Sequence, residues 1–248
     1  MINDYILKSA DNALILGHRN SEWTGFGPIM EEDIAFASMA QDKIGHAQSL
    51  YTILKDNFNT ADADTLAFKR AEKEFKCCHL VEMPNGEYDF SLMRQFLFDH
   101  AERLRYETLQ QSSYEPLAKF ARKIKGELKY HILHADTWLV KLGNGTEESH
   151  ARMQSVLNDS FDIALGIFEP SANEQALMDE KVFIGEKALQ EMWLHEISPI
   201  IERANLKLPA IKNATAGYGG RNGYHTEHLA PLLAEMCEVL NSDVNATW

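Results

Sequence analysis

Apolar residues recur at intervals of three and four along most of this chain, and no segment alternates convincingly with a period of two. The first spacing places apolar side chains on one face of an α-helix, whereas alternation is typical of a half-buried strand. We therefore predict an all-α fold. The helical patterns cover residues 5–23, 31–56, 65–78, 90–113, 115–142, 146–168, 173–204 and 226–240.

Composition limits the kind of protein this can be. The chain has 248 residues, 45% of them apolar and 25% charged, which predicts a single folded domain over 1–248. A net charge of −13 and the lack of any Lys/Arg-rich stretch argue against nucleic acid as a partner. No apolar run approaches the ~18 residues of a membrane span. The N-terminus has no leader pattern, and three cysteines give no disulfide framework, so we expect a cytoplasmic protein without a membrane partner.

The four longest helical patterns of the first 142 residues match a frame that di-iron proteins use. In that frame two helices each supply a carboxylate, and each of the other two supplies a Glu-x-x-His motif that bridges and binds the metals. The corresponding positions here are Glu22, Lys43, His46, Asp99, Leu128 and His131. Lys43 and Leu128 stand where the bridging glutamates belong. The sequence thus predicts a ferritin-like four-helix bundle core with additional C-terminal helices and a vestigial site, with no metal, cofactor-binding or catalytic residue.

Charge suggests what replaced the metals. Without iron, Glu22 and Asp99 would be buried like charges, which is costly unless each is neutralised or paired. Lys43 offers a positive charge on the neighbouring helix. Our hypothesis is that an ion-pair cluster of Glu22, Lys43 and Asp99 substitutes for the iron centre.

A set of short motifs, in order along nearly the whole chain, gives a resemblance to a known family. They are Ser21-Glu22-Trp23, Glu32-Asp33-Ile34-Ala35, Gly45, Asp64-Thr65-Leu66-Ala67-Phe68 before Arg70, Val81-Glu82 with Pro84-Asn85-Gly86, Leu142-Gly143-Asn144-Gly145-Thr146, His225-Thr226-Glu227-His228-Leu229 and Leu233-Ala234-Glu235-Met236. The chain resembles the C subunits of multicomponent phenylacetyl-CoA oxygenases, the 1,2-epoxidases of aerobic phenylacetate breakdown. It departs from their pattern at His46, where the family leads us to expect glutamine, and the retained imidazole leaves weak metal binding open.

The resemblance implies a role in a complex. In that family the A subunit holds the di-iron centre and oxidises the aromatic ring, while the related C subunit pairs with it and maintains it. We therefore expect a non-catalytic structural subunit with three partners: the catalytic A subunit, a small B subunit and a flavin/iron–sulfur reductase. Alone, the chain is expected to form a homodimer. Two alternatives stay open: a di-metal oxygenase or oxidase with non-canonical ligands around Glu22, His46, Asp99 and His131, and an acyl-CoA-binding module.

Three further patterns are interpreted as structural. His18 precedes Glu22 by one helical turn and is expected to pair with it. The His225-x-x-His228 spacing resembles a metal motif but lacks further ligands nearby in sequence, so no metal role is assigned to it. The glycine-rich stretch over 216–223 is interpreted as a flexible connector or docking loop, with Arg221 exposed to a partner.

Overall fold

A computed structural model of the chain describes residues 1–243, and it contains helices and loops but no strand in that range. The end of the predicted single domain, residues 244–248, lies outside the described residues. The α-helices are α1 (Ile2–Ser21), α2 (Met30–Phe58), α3 (Ala63–Phe68), α4 (His79–Glu82), α5 (Tyr88–Leu109), α6 (Glu115–Gly143), α7 (Glu147–Ala164), α8 (Glu174–Asp179), α9 (Glu186–Arg203), α10 (Leu229–Met236) and α11 (Glu238–Ser242). Between residues 1 and 243, no helix is both long and apolar enough to cross a membrane.

Four long helices form the core of the fold. The α1 helix packs along α2 and α5 packs along α6, and the later helices α7 and α9 cover α5. Buried apolar side chains from the four helices fill the centre, among them Ile15, Leu50, Leu97 and Leu128. Each such side chain contributes about 1.5–3 kcal/mol through removal from water. The prediction of an all-α fold with a four-helix core is confirmed.

Several helices begin or end at residues whose side chains or backbone conformation favour a helix terminus. Acidic residues occupy the first turn of α2, where the helix dipole favours negative charge. At the other end of α2, Asn59 adopts a left-handed conformation with φ 52° and ends the helix. Thr146 caps α7, since its hydroxyl accepts a hydrogen bond from the Ser149 amide.

Gly17 allows α1 and α2 to approach closely. A Cβ atom at this position would lie 2.9 Å from Ile44 Cγ1 and 3.3 Å from the Ala40 carbonyl oxygen. We expect Gly17→Val to lower the free energy of unfolding by about 1–3 kcal/mol, because the added atoms overpack the helix contact. The control is Gly126→Val on α6, where a Cβ would meet nothing within 4 Å. Urea denaturation of both variants isolates the packing effect, and equal losses would contradict it.

The predicted helix over 65–78 is wrong beyond Phe68. Only α3 and a short 3₁₀ turn over Glu72–Glu74 form there, and the following residues are extended. Tertiary contacts explain the difference: Asp11 accepts a hydrogen bond from the Lys76 amide at 2.7 Å, and Asn12 accepts one from the Cys78 amide at 2.8 Å. Side chains of α1 thus satisfy backbone groups that a helix would otherwise pair.

The predicted helix over 173–204 is two helices, α8 and α9. Gly185 separates them with φ 98°, a conformation that residues with a side chain rarely adopt. Pro199 neither ends nor begins a helix, since α9 continues to Arg203. The predicted terminal helix over 226–240 starts later, at Leu229, and is divided into α10 and α11.

The glycine-rich segment is packed against the bundle rather than exposed. Arg221 is buried, its guanidinium donates to Glu186 at 2.7 Å, and its main-chain amide donates to Glu169. Gly217 lies so close to α7 that a Cβ would approach the Ile163 carbonyl oxygen to 2.1 Å. The expectation of an exposed Arg221 on a docking loop is therefore wrong, because its guanidinium pairs with the buried Glu186 carboxylate.

Candidate functional site

The structure brings most of the vestigial positions into one buried layer of the bundle. Lys43 and His46 of α2, Asp99 of α5, and Leu128 and His131 of α6 are all buried. Leu128 is an ordinary member of the apolar core. Glu22 differs from the others, because it lies just past the end of α1 and its side chain is 29% exposed.

Lys43 occupies the centre of this layer and is fully buried. Its ammonium donates to Asp99 Oδ1 at 2.7 Å and to a carboxylate oxygen of Glu102. It also lies 5.1 Å from the centre of the Phe98 ring, within reach of a cation–π attraction. A single cation thus bridges two carboxylates of the same helix.

Amide side chains extend the network on the Asp99 side. Gln95 donates to Asp99 Oδ2, and Asn20 of α1 donates to Gln95 at 3.0 Å. Burial raises the pKa of Asp99, but Lys43, His131 and these hydrogen bonds outweigh it and hold the pKa below its usual value. For Lys43, burial lowers the pKa, and the two carboxylates outweigh that effect and raise it. The Lys43–Asp99 pair is therefore stabilised in its charged form.

Glu22 does not join this cluster. Its carboxylate accepts a hydrogen bond from Arg19 at 2.7 Å, and Arg19 also donates to the main-chain carbonyl of Glu82. Glu102 takes the place that we expected for Glu22, so the observed cluster is Lys43, Asp99 and Glu102. The sequence did hold a signal for Glu102, because a residue three positions after Asp99 lies on the same face of the helix. The predicted pairing of His18 with Glu22 is also replaced by the Arg19 contact.

The two histidines form contacts across the seam between α2 and α6. His46 Nε2 lies 2.7 Å from a Glu127 carboxylate oxygen, and His131 Nε2 lies 3.0 Å from Asp42. Burial lowers the pKa of His46. Within residues 1–243, the Nδ1 atoms of His46 and His131 have no hydrogen-bond partner. His131 Nδ1 is 4.0 Å from Asp99 Oδ2.

The residues present do not fit a di-iron centre. The two unpartnered imidazole nitrogens could each donate to a metal, but Asp99 and Glu102 both bind the Lys43 ammonium. A protonated lysine cannot serve as a ligand, and it repels a metal cation from the centre of the layer. Leu128 offers no donor atom, and Glu22 pairs with Arg19. The geometry supports a structural layer in which one buried cation is shared by two carboxylates.

Exposed apolar side chains lie on the outer faces of α2 and α6. They are Met30 and Ile34 of α2, and Tyr130 and Leu133 of α6, with exposures from 51 to 73%. The two helices are neighbours at this level, because His134 of α6 contacts a Glu32 carboxylate oxygen at 2.7 Å. These four residues, which we name the α2/α6 patch, form two apolar pairs, each about one turn apart on its helix, and the pair on α2 lies on the side away from Glu32. Large contiguous patches of exposed apolar groups are typical of protein–protein contact surfaces.

Comparison with known proteins gives two similarities that span the chain. The family model described as phenylacetic acid catabolic protein matches residues 2–248. The chain is also 34% identical over 232 residues to the C subunit of the Escherichia coli (strain K12) 1,2-phenylacetyl-CoA epoxidase, covering 94% of this chain and 93% of that protein. The family model extends through the four core helices and the C-terminal helices. The chain therefore belongs to the phenylacetic acid catabolic protein family.

Proposed function

We propose that this chain is a non-catalytic structural subunit of a phenylacetyl-CoA epoxidase, a multicomponent di-iron oxygenase of aerobic phenylacetate catabolism. It binds the catalytic A subunit and keeps that subunit folded. The E. coli protein to which it is similar is the C subunit of such an epoxidase, and the similarity covers both chains almost completely. In this proposal the di-iron centre belongs to the A subunit, and this chain carries no cofactor for the oxygenation.

One observation carries the non-catalytic role: the Lys43 ammonium lies between Asp99 and Glu102, at the centre of the layer where a metal pair would need carboxylates. The Lys43 ammonium offsets buried carboxylate charge without a metal, and removing one partner from such a cluster is costly. In this proposal the bundle keeps the four-helix frame of di-iron proteins without the carboxylates that would hold the metals. A bundle with this frame and without metal binding suits a subunit that pairs with a related catalytic chain.

A second candidate, a di-metal oxygenase or oxidase with non-canonical ligands, draws on the unpartnered Nδ1 atoms of His46 and His131. Imidazole nitrogens are common metal ligands. In this candidate Lys43 leaves its two carboxylates, and metal ions bind there instead. It therefore predicts stoichiometric iron in the purified chain. The structural role predicts iron far below that level.

For the contact with the A subunit we propose the α2/α6 patch. The complex we propose also contains a small B subunit and a reductase, and it works in the cytoplasm. Isolated from its partners, the chain covers the same patch by forming a homodimer. Residues at the centre of such an interface dominate the binding energy, and a charge placed there without a partner is strongly unfavourable.

The test is co-expression of the A subunit with a tagged form of this chain, followed by co-purification and iron analysis of each separated subunit. We expect the wild-type chain to retain the A subunit and to hold little iron itself. Leu133→Glu should lose most of the A subunit. Val239→Glu on α11 is the matched control, because Val239 and Leu133 are both 63% exposed.

Three results would contradict parts of this proposal separately. Stoichiometric iron in the isolated chain would favour the enzyme. An A subunit that stays soluble and active without this chain would exclude the stabilising role. Retention of the A subunit by Leu133→Glu would move the interface away from the α2/α6 patch.

A further inference from the structure

Three potential metal ligands meet at a place remote in sequence from the bundle layer described above. Cys77 belongs to the extended segment that follows the 3₁₀ turn, Glu82 is the last residue of α4, and His225 follows the glycine-rich segment. Their ligand atoms all lie within 4.8 Å of one another. The side chains of Glu82 and His225 are 0% and 1% exposed, and Cys77 is fully buried.

Hydrogen bonds hold the three groups together. His225 Nδ1 lies 2.7 Å from Glu82 Oε1, and the Cys77 thiol lies 3.6 Å from the same oxygen. On the far side of the ring, His225 Nε2 lies 3.0 Å from the Phe75 carbonyl oxygen, which can only accept. Nε2 therefore carries a hydrogen, and Nδ1 is the nitrogen that faces the other two groups.

The Cys77 thiol is the group that must lose a proton before it can bind a cation. Burial and the neighbouring Glu82 raise the pKa of that thiol well above its usual value. The carboxylate oxygen Glu82 Oε1 and the imidazole nitrogen His225 Nδ1 lie beside it as the other two donor atoms.

We propose that Cys77, Glu82 and His225 form a binding site for one divalent cation of the zinc class. The cation displaces the proton of the Cys77 thiol, so that thiolate, carboxylate and imidazole bind it. The two negative charges of the ligands balance the charge of the cation, so the filled site carries no net charge in its buried surroundings. Sulfur, nitrogen and oxygen ligands together select Zn²⁺ over Mg²⁺ or Ca²⁺.

Neighbouring groups already orient the ligands. The Phe75 carbonyl fixes the imidazole, and the Thr226 amide and hydroxyl donate to Glu82 Oε2 at 2.8 and 2.7 Å, which leaves Oε1 to the cation. Such outer contacts are typical of metal sites. Arg19 of α1 donates a hydrogen bond to the main-chain carbonyl of Glu82 and so holds that residue against the bundle. The cation would fasten the C-terminal segment to the α3–α4 region and to the end of α1.

The test uses Co²⁺ as a probe with the full-length chain, since cobalt–thiolate bonds absorb in the near ultraviolet. We expect one Co²⁺ per chain with that absorption, and displacement of Co²⁺ by Zn²⁺. Cys77→Ser should remove the thiolate absorption. Thr226→Val keeps all three ligands and should weaken binding by roughly 10–100-fold.

Matched controls separate this site from others. Cys237→Ser removes the cysteine that lies apart from the cluster, and His228→Asn removes the second histidine of the His-x-x-His spacing, so both should bind Co²⁺ like the wild type. His131→Asn tests the bundle layer and should also leave the absorption intact. Binding without thiolate absorption in the wild-type chain would overturn the proposal, whether or not Cys77→Ser folds.

Discussion

Replacing Lys43 with methionine is expected to lower the free energy of unfolding by about 3–5 kcal/mol, as when a buried ion pair loses one partner. Methionine preserves most of the volume of lysine but leaves Asp99 and Glu102 facing each other in the core without a cation. Urea denaturation followed by circular dichroism measures the loss. The matched control is Lys55→Met, an exposed lysine of the same helix, for which we expect a change within about 0.5 kcal/mol.

A triple variant tests whether charge is the cause. Lys43→Met combined with Asp99→Asn and Glu102→Gln removes all three charges and keeps the shapes of the side chains. Replacing a whole buried ion cluster with neutral groups is far less costly than removing one member. We therefore expect the triple variant to recover much of the stability that Lys43→Met loses. A triple variant as unstable as the single one would mean that lysine packing, not charge, stabilises this layer.

The difference between wild type and Lys43→Met should depend on pH. Because the pKa of Asp99 is held below its usual 3.8 in the folded protein, its contribution is fully present above the unfolded pKa and is lost as pH falls through the folded value. In Lys43→Met the uncompensated carboxylates take up protons on folding, so that variant becomes relatively more stable as pH falls. The two unfolding free energies should therefore converge on acidification, and a gap that is constant with pH would contradict the ion-pair explanation.

The sequence was sufficient for the parts of the fold that depend on local pattern. The long helices follow from apolar spacing, and the Lys43–Asp99 contact follows from a charge argument because each residue lies on a buried helix face. Glu102 was missed because Glu22 had been assigned to the cluster by analogy with the terminal ligands of di-iron proteins. Glu22 instead lies at the exposed end of α1 and pairs with Arg19, and helical periodicity predicts neither feature.

The C-terminal half was harder to predict because distant contacts override its local pattern. Nothing near Arg221 in sequence indicates burial, and the glycines around it suggest a mobile loop. Its partner Glu186 begins α9, after a break at Gly185 that helical periodicity over 173–204 did not predict. The ligands of the proposed cation site are equally hard to predict, since Cys77 and His225 are 148 positions apart in the numbering and meet only through the fold.

Replacing Glu186 with glutamine is expected to cost about 3–5 kcal/mol of stability, because it leaves two buried guanidinium groups without a counter-charge. In the wild type, Arg105 donates to Glu186 at 2.9 and 2.7 Å, and Arg221 donates to the same carboxylate at 2.7 Å. All three side chains are buried. Burial raises the pKa of Glu186, but the two arginines outweigh it and lower the pKa.

The measurement combines urea denaturation with trypsin cleavage after Arg221, and Glu191→Gln is the control because Glu191 is an exposed residue of the same helix. In Glu186→Gln the repelled Arg221 should leave its site, so the chain becomes cleavable after Arg221 while the four-helix core stays folded. The wild type should lose this stabilisation as pH falls through the lowered pKa of Glu186, and Glu186→Gln should not. If Glu186→Gln matched the control in both stability and cleavage, Arg221 would have to be solvated in solution. The segment over 207–226 would then be the open docking loop that its glycines suggest. His225 would no longer be held beside Cys77 and Glu82.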